Sequence, residues 1–236
     1  MRPVPAIEDL WERWGRPRRA VAVVAHPDDE SFGLGAVLAG LVDAGADVEV
    51  VCLTHGEAST LGASDDLAAR RDRELHDAAA VLGVGRVAQA AYPDGGLADV
   101  GDGALDALVA GQVQGADLLV VFEPGGVTGH PDHRAATASA ERVAARLGIP
   151  VVEWGVAPVV AAALRAELGA PFVSLDAPAG DGEPVVEVSV ARDRQRAAIA
   201  CHPSQATGNV VLERRLGLQG DRERLHFLAL RRAQER

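Results

Sequence analysis

Apolar positions along this chain follow two rhythms. Short runs such as 20–25 (AVAVVA) and Leu118–Phe122 (LLVVF) are apolar at every position. They read as strands covered on both faces, because a strand with one wet face would alternate. Between such runs lie Ala-rich stretches with the spacing of a helix. The pattern predicts strands at 20–25, 47–54, 86–91, 117–122 and 150–155, and helices at 30–44, 64–82, 103–114 and 131–147. Strands alternating with helices require right-handed crossovers. The predicted fold is therefore α/β: a Rossmann-like, doubly wound, mostly parallel sheet with helices on both faces.

Ahead of the first strand, Trp11 and Trp14 mark a short helix packed on the domain. Beyond Trp154 the pattern weakens. Pro158–Leu168 reads as a helix, while 172–175 and 185–190 read as paired strands around a Pro/Gly/Asp-rich turn. A helix at about 191–202 stops before Pro203, and 225–230 is a last strand. This is a small β-containing C-terminal extension. With no repeat, low-complexity tract or linker, residues 1–236 are expected to form one domain.

Composition narrows the partners. The chain has 236 residues and a formal charge of −11. That balance argues against nucleic acid and anionic membrane surfaces, which select for basic residues, and favours a small neutral or cationic molecule. Two cysteines, Cys52 and Cys201, form neither a disulfide framework nor a CxxC pair. With no signal-like apolar region and no run long enough to span a bilayer, a cytoplasmic location without membrane insertion is expected. The sequence leaves homo-oligomerisation open.

The chemistry lies at two strand ends. His-Pro-Asp-Asp-Glu occupies 26–30 and His-Pro-Asp-His occupies 130–133, each following an apolar run and opening a helical stretch. In parallel sheets ligands gather outside the carboxyl ends of strands, where both motifs fall. Pro131 suits a first helical turn, which puts His130 at the N-cap and His133 one turn in. His26 and Asp29, three apart around a turn, can converge on one ion, with a third ligand from the other loop. Imidazole and carboxylate are ligands zinc accepts, and three of them leave a fourth position open for catalysis. Spacing alone does not separate Asp28 from Asp29. A capping or surface role for any one of these residues is the plain alternative, but two similar motifs in equivalent places are poorly explained by capping.

AHPDDE at 25–30 and GHPDH at 129–133 resemble the signature motifs of the LmbE/PIG-L family of zinc-dependent N-deacetylases. LTHGEAS at 53–59, Arg71 with Glu74 and Leu75, VLGV at 81–84 and the HPSQ run at 202–205 extend the resemblance over most of the chain. It implies removal of the N-acetyl group from an N-acetylglucosaminyl-type conjugate, releasing acetate and a free amine. One Zn²⁺ per chain would be held by His26, Asp29 and His133, and other divalent metals could substitute. Asp28 would be the general base, His130 a polarising or acid group, Asp132 the residue that orients His130, and Arg71 a contact to substrate polar groups. Thr128 stands where family members can carry a Tyr, so a phenolic oxyanion donor is absent there.

Other residues read two ways. His55 and Glu57 line the cleft or begin a solvated loop; His202, Ser204 and Gln205 close the mouth or end a helix. Asp94 in YPDGG is turn chemistry first and a substrate contact second. Cys201 is a packed side chain rather than a nucleophile. Two other activities compete with deacetylation. A mycothiol-conjugate-type amidase would use the same zinc machinery. A Rossmann-type nucleotide-dependent transferase would need GxGxxG after the first strand, where HPDDESFGLG puts carboxylates instead.

Overall fold

The computed structural model describes residues 4–176 and 185–228. Five parallel strands carry the core: β1 (Arg19–Val24), β2 (Asp47–Thr54), β3 (Arg86–Tyr92), β4 (Leu118–Phe122) and β5 (Val151–Gly155). β6 (Val185–Ser189) and β7 (Arg222–Leu228) continue the sheet antiparallel, giving the order β3-β2-β1-β4-β5-β7-β6. The chain turns outward in opposite directions from β1 and β4, so their carboxyl ends border the crevice of a doubly wound sheet.

The all-apolar strands have a direct structural reason. Along β1, Ala20, Ala22 and Val24 pack into one apolar layer, while Val21 and Val23 pack into the layer on the other face. The first layer lies under α1 (Ile7–Trp14), α3 (Gly35–Asp43), α4 (Leu67–Leu82) and α7 (Pro158–Leu168). The second lies under α5 (Asp102–Gln112) and α6 (Pro131–Leu147). Trp14 of α1 stacks on Phe227 at 4.4 Å between ring centroids, and Trp11 meets the same ring edge-on at 6.1 Å.

Three expectations need correction. The helix predicted at 30–44 is two pieces, α2 (Asp29–Phe32) and α3, because the chain bends at Gly33 where the Gly33 and Leu34 amides share the Asp29 carbonyl. The segment 172–175 is not a strand paired with 185–190. Ser174 makes an isolated bridge to Val156, Val173 N–H bonds the Val127 carbonyl, and β6 pairs with β7 instead. The predicted helix at 191–202 is α8 (Asp193–Ala200), followed by the single turn α9 (Pro203–Ala206) and by α10 (Val210–Gln219), which the sequence pattern missed. Its signal was an Asn209 N-cap, whose side chain accepts from Leu212 N–H, and Leu212 and Leu216 one turn apart. Gly208, Gly217 and Gly220 hid it. Among the described residues, no helix is long and apolar enough to cross a membrane.

Candidate active site

The loop after β1 is held from several elements. Thr54 at the end of β2 donates to the Ala25 carbonyl from both its amide (3.0 Å) and its hydroxyl (2.9 Å). Asp29 Oδ2 accepts the amides of His26 (2.9 Å) and Ala25 (3.2 Å). Asp28 sits at φ 122°, a backbone region that L side chains avoid. Its amide is taken by Glu30 Oε2 (2.9 Å), and the other oxygen of that carboxylate meets His202 Nε2 at 2.7 Å with both side chains fully buried.

The loop after β4 is held mostly by its own residues. Glu123 accepts the amides of Gly125 and Val127. Gly126 is obligatory at φ 81°, since a Cβ there would stand 2.7 Å from the His130 carbonyl oxygen. His130 caps α6, its Nδ1 accepting the Asp132 amide at 3.2 Å, and Pro131 opens the helix.

The two loops bring His26, Asp29 and His133 together. His26 Nδ1 and His133 Nε2 are 3.2 Å apart; Asp29 Oδ1 is 3.2 Å from His133 Nε2, and its Oδ2 is 3.7 Å from His26 Nδ1. The remote side of each ring fixes its tautomer. His133 Nδ1 lies 3.2 Å from the Gly126 carbonyl and must carry hydrogen there. His26 Nε2 faces Asp94 Oδ1 at 3.0 Å and Asp132 Oδ2 at 3.3 Å, so it carries hydrogen too. When both rings are neutral, two lone pairs and a carboxylate oxygen face one another with no hydrogen between them. That arrangement is stable around a cation. Atoms that each ligate tetrahedral zinc at about 2.0–2.1 Å stand roughly 3.3–3.4 Å from one another, close to the observed spacing. The donor set fits the metal.

Two residues stand where the sequence did not put them. The Asp132 carboxylate does not orient His130. It is fully buried, accepts the amides of Gly95 (2.7 Å) and Leu97 (3.0 Å), and supports His26; only its backbone amide reaches His130. Arg71 does not line an open cleft: it is 3 % exposed and donates to the Gly56 and Pro27 carbonyls and, at 3.0 Å, to Asp28 Oδ2. Gly56 makes room for it, since a Cβ there would sit 2.1 Å from Arg71 Nη1.

Asp94 is the residue the sequence underrated. Its Oδ1 holds His26 while its Oδ2 accepts the Ala58 amide, and Glu57 in turn accepts the Asp94 amide. The turn residues of YPDGG gave no sign of this. His26, Asp94 and Asp132 form a second candidate ion-binding group, and His26, His130 and His133 a third. The carboxylates of the second group already accept backbone amides, which suits a supporting role. The remaining expectations fall outside the cluster. His55 bonds Asp72 at 2.7 Å, Ser204 bonds Glu74, and Gln205 ties Ser59 to the Leu61 carbonyl. The 202–205 segment is thus a strut behind the first loop. Burial pushes the Cys201 thiol up, away from nucleophile chemistry.

Electrostatics separate the two adjacent aspartates. Burial lifts the Asp28 carboxyl, partly opposed by Arg71 and reinforced by Asp29, to about 6. Burial acts on Asp29 as well, but His133 and His26 outweigh it and hold that carboxyl well below the usual range. Burial disfavours charge on His26, yet Asp132 and Asp94 prevail and raise it to about 10. His130 is lowered by burial and then by the neighbouring imidazoles.

Known proteins share this sequence pattern and this fold. The profile of the family described as PIG-L, GlcNAc-PI de-N-acetylase, matches residues 21–144. The chain belongs to the PIG-L family. A relative from Kineococcus radiotolerans, 1D-myo-inositol 2-acetamido-2-deoxy-alpha-D-glucopyranoside deacetylase, is 34% identical over 83% of this chain and 71% of its own. The protein of that name from Corynebacterium diphtheriae is 35% identical, over 59% of this chain; the match spans 57% of that relative's length. Among solved structures, the zinc-inhibited form of teicoplanin deacetylase Orf2 (20% identity, TM-score 0.62) covers 89% of this chain and 97% of its own. N,N′-diacetylchitobiose deacetylase from Pyrococcus horikoshii (20% identity, TM-score 0.60) covers 97% and 94%. At that identity the likeness is one of fold, and PIG-L membership rests on the sequence matches.

Proposed function

We propose that this PIG-L protein is a zinc-dependent hydrolase that removes the N-acyl group from an N-acetylglucosaminyl-type conjugate, with His26, Asp29 and His133 as the metal ligands. The carrying observation is the meeting of His26 Nδ1, His133 Nε2 and Asp29 beside a carboxyl that is not turned to the same point, Asp28. The 2-acetamido sugar substrates named for the relatives from Kineococcus and Corynebacterium support the sugar part of the reading. Zinc at this site would supply Lewis acidity, bringing the pKa of water toward about 7 and polarising the amide carbonyl.

The chain's own residues supply the proton traffic. Asp28, with its carboxyl near 6, is ionised at neutral pH yet basic enough to take a proton from the attacking water. It then hands that proton to the departing amine. Arg71 fixes which Asp28 oxygen is free, since it holds Oδ2 at 3.0 Å. His130 acts as a neutral donor rather than a cation. Its Nδ1 accepts the Asp132 amide, so the hydrogen sits on Nε2, ready for the developing oxyanion. Asp94 and Asp132 hold His26 in the tautomer that presents Nδ1.

The test is amine release from N-acetylglucosaminyl inositol and from chitobiose by protein stripped of metal and then reloaded with Zn²⁺. Metal-dependent release of acetate and amine in equal amounts is expected. Turnover that survives stripping, or protein that binds no zinc, would overturn the proposal.

A further inference from the structure

Beside the cluster lies a solvent-open cavity of about 160 Å³ whose lining includes Asp29 and His133. Its apolar lining comes from Phe32, Phe122, Trp154 and Phe172, with Val211 and Leu212 of α10. Two polar residues also line it, and both are already engaged. Asn209 accepts from Leu212 N–H and donates to the Gln205 carbonyl. Arg215 donates to Gln219 and to the Phe32 carbonyl, with its guanidinium 5.4 Å from the Trp154 ring centre. Most of the lining is thus apolar, and a sugar ring placed there would meet mainly aromatic and aliphatic side chains.

The geometry points to an acyl-binding pocket: the amide this site cleaves best carries an apolar acyl group larger than acetyl, of butanoyl to hexanoyl or benzoyl size. This rests on the deacylase reading above. Two observations choose the acyl side over the sugar side. Asp28, which serves the departing amine, does not line the cavity, whereas Asp29 and His133 do. The size is also wrong for a lone methyl group, since an apolar cavity of about 150 Å³ holds a benzene molecule. Water adds across the amide C–N bond, the acyl carbon leaves as a carboxylate in the cavity, and the proton goes to the amine.

One glucosaminyl inositol carrying acetyl, butanoyl, hexanoyl or benzoyl on nitrogen tests this by amine release. Each methylene buried in the cavity carries a factor of about four. The butanoyl amide should then exceed acetyl about fifteenfold in kcat/KM, and hexanoyl should exceed butanoyl. Val211→Trp, or Val211→Phe should the larger ring not fold, should fill the cavity and shrink the hexanoyl-to-acetyl ratio about tenfold. Acetyl cleaved as fast as the longer amides, or a Val211 variant that slows all of them equally, overturns the pocket while leaving the deacylase reading intact. Should no amide be cleaved, that reading fails, and the pocket is decided by calorimetry on metal-free protein. Hexanoate binding at least tenfold tighter than acetate, weakened by Val211→Trp, supports it; equal binding overturns it.

Discussion

The two loops that build the site hold their side chains in different ways. The loop after β1 is gripped over long distances in sequence: by Thr54, by Arg71 of α4, by Asp94 after β3, by Asp132 of α6 and by His202 through Glu30. The loop after β4 is held mainly within its own ten residues, by Glu123 on Gly125 and Val127 and by the cap of α6, with two backbone ties from outside it, Val173 N–H to the Val127 carbonyl and Glu123 N–H to the Trp154 carbonyl. The difference follows from what each must present. Asp29 is a buried carboxyl and Asp28 a largely buried one at a strained φ of 122°, and such states persist only where surroundings over-determine them. His130 and His133 are half-buried rings at a helix start, His130 as the extended N-cap and His133 in the first turn, for which a cap and one carbonyl suffice; the strained residue of this loop, Val127 at φ 63°, is held by the adjacent Glu123.

Breaking the first loop at its reactive group should have the largest effect. Asp28→Asn removes the proposed base and none of the proposed ligands, so kcat should fall about 10³–10⁴-fold with zinc content unchanged by elemental analysis. In the unaltered protein the same group gives kcat/KM an acid limb. Asp28 must be ionised to act, so activity should drop as pH falls through about 6. Breaking the second loop costs less. His130→Ala should lower kcat about 10²–10³-fold with little change in KM, the effect of losing one oxyanion donor. His130→Gln, which keeps an N–H, should recover part of it.

The contrast also explains what the sequence disclosed. The β4 loop was legible because its devices are mostly local: an apolar strand, then Gly-His-Pro-Asp-His, which gives the cap, the Pro at the first helical turn and the histidine proposed as a metal ligand. The parallel core was legible for the same reason, as unbroken apolar runs such as β1 and β4. Asp132 was assigned to the nearer histidine in sequence, whereas in space it serves His26, 106 residues away. Asp94, the Glu30–His202 pair and the burial of Arg71 arise only from packing. α10 and the pairing of β6 with β7 were missed because glycines masked one and a distant partner decided the other.

Two smaller effects probe those long-range supports. Asp94→Asn keeps the shape but weakens the partner of His26, so zinc affinity should fall about 10–100-fold by competition with a chelating dye. Metal-free protein should show a pH signature as well. His26 is raised from 6.5 to about 10, so the stability it contributes is complete below pH 6.5 and lost as pH rises through about 10. Chelated wild type should therefore lose several degrees of Tm over that interval relative to chelated Asp94→Asn. Equal slopes would show that Asp94 does not support the ring.

The most direct measurement of the central claim is the crystal structure of zinc-loaded protein, with the metal located by its anomalous signal. The ion should be bound by His26 Nδ1, Asp29 and His133 Nε2 at about 2.0–2.2 Å, with a fourth position open. Zinc on His26 Nε2 between Asp94 and Asp132, or held by the three histidines with Asp29 turned away, would contradict it.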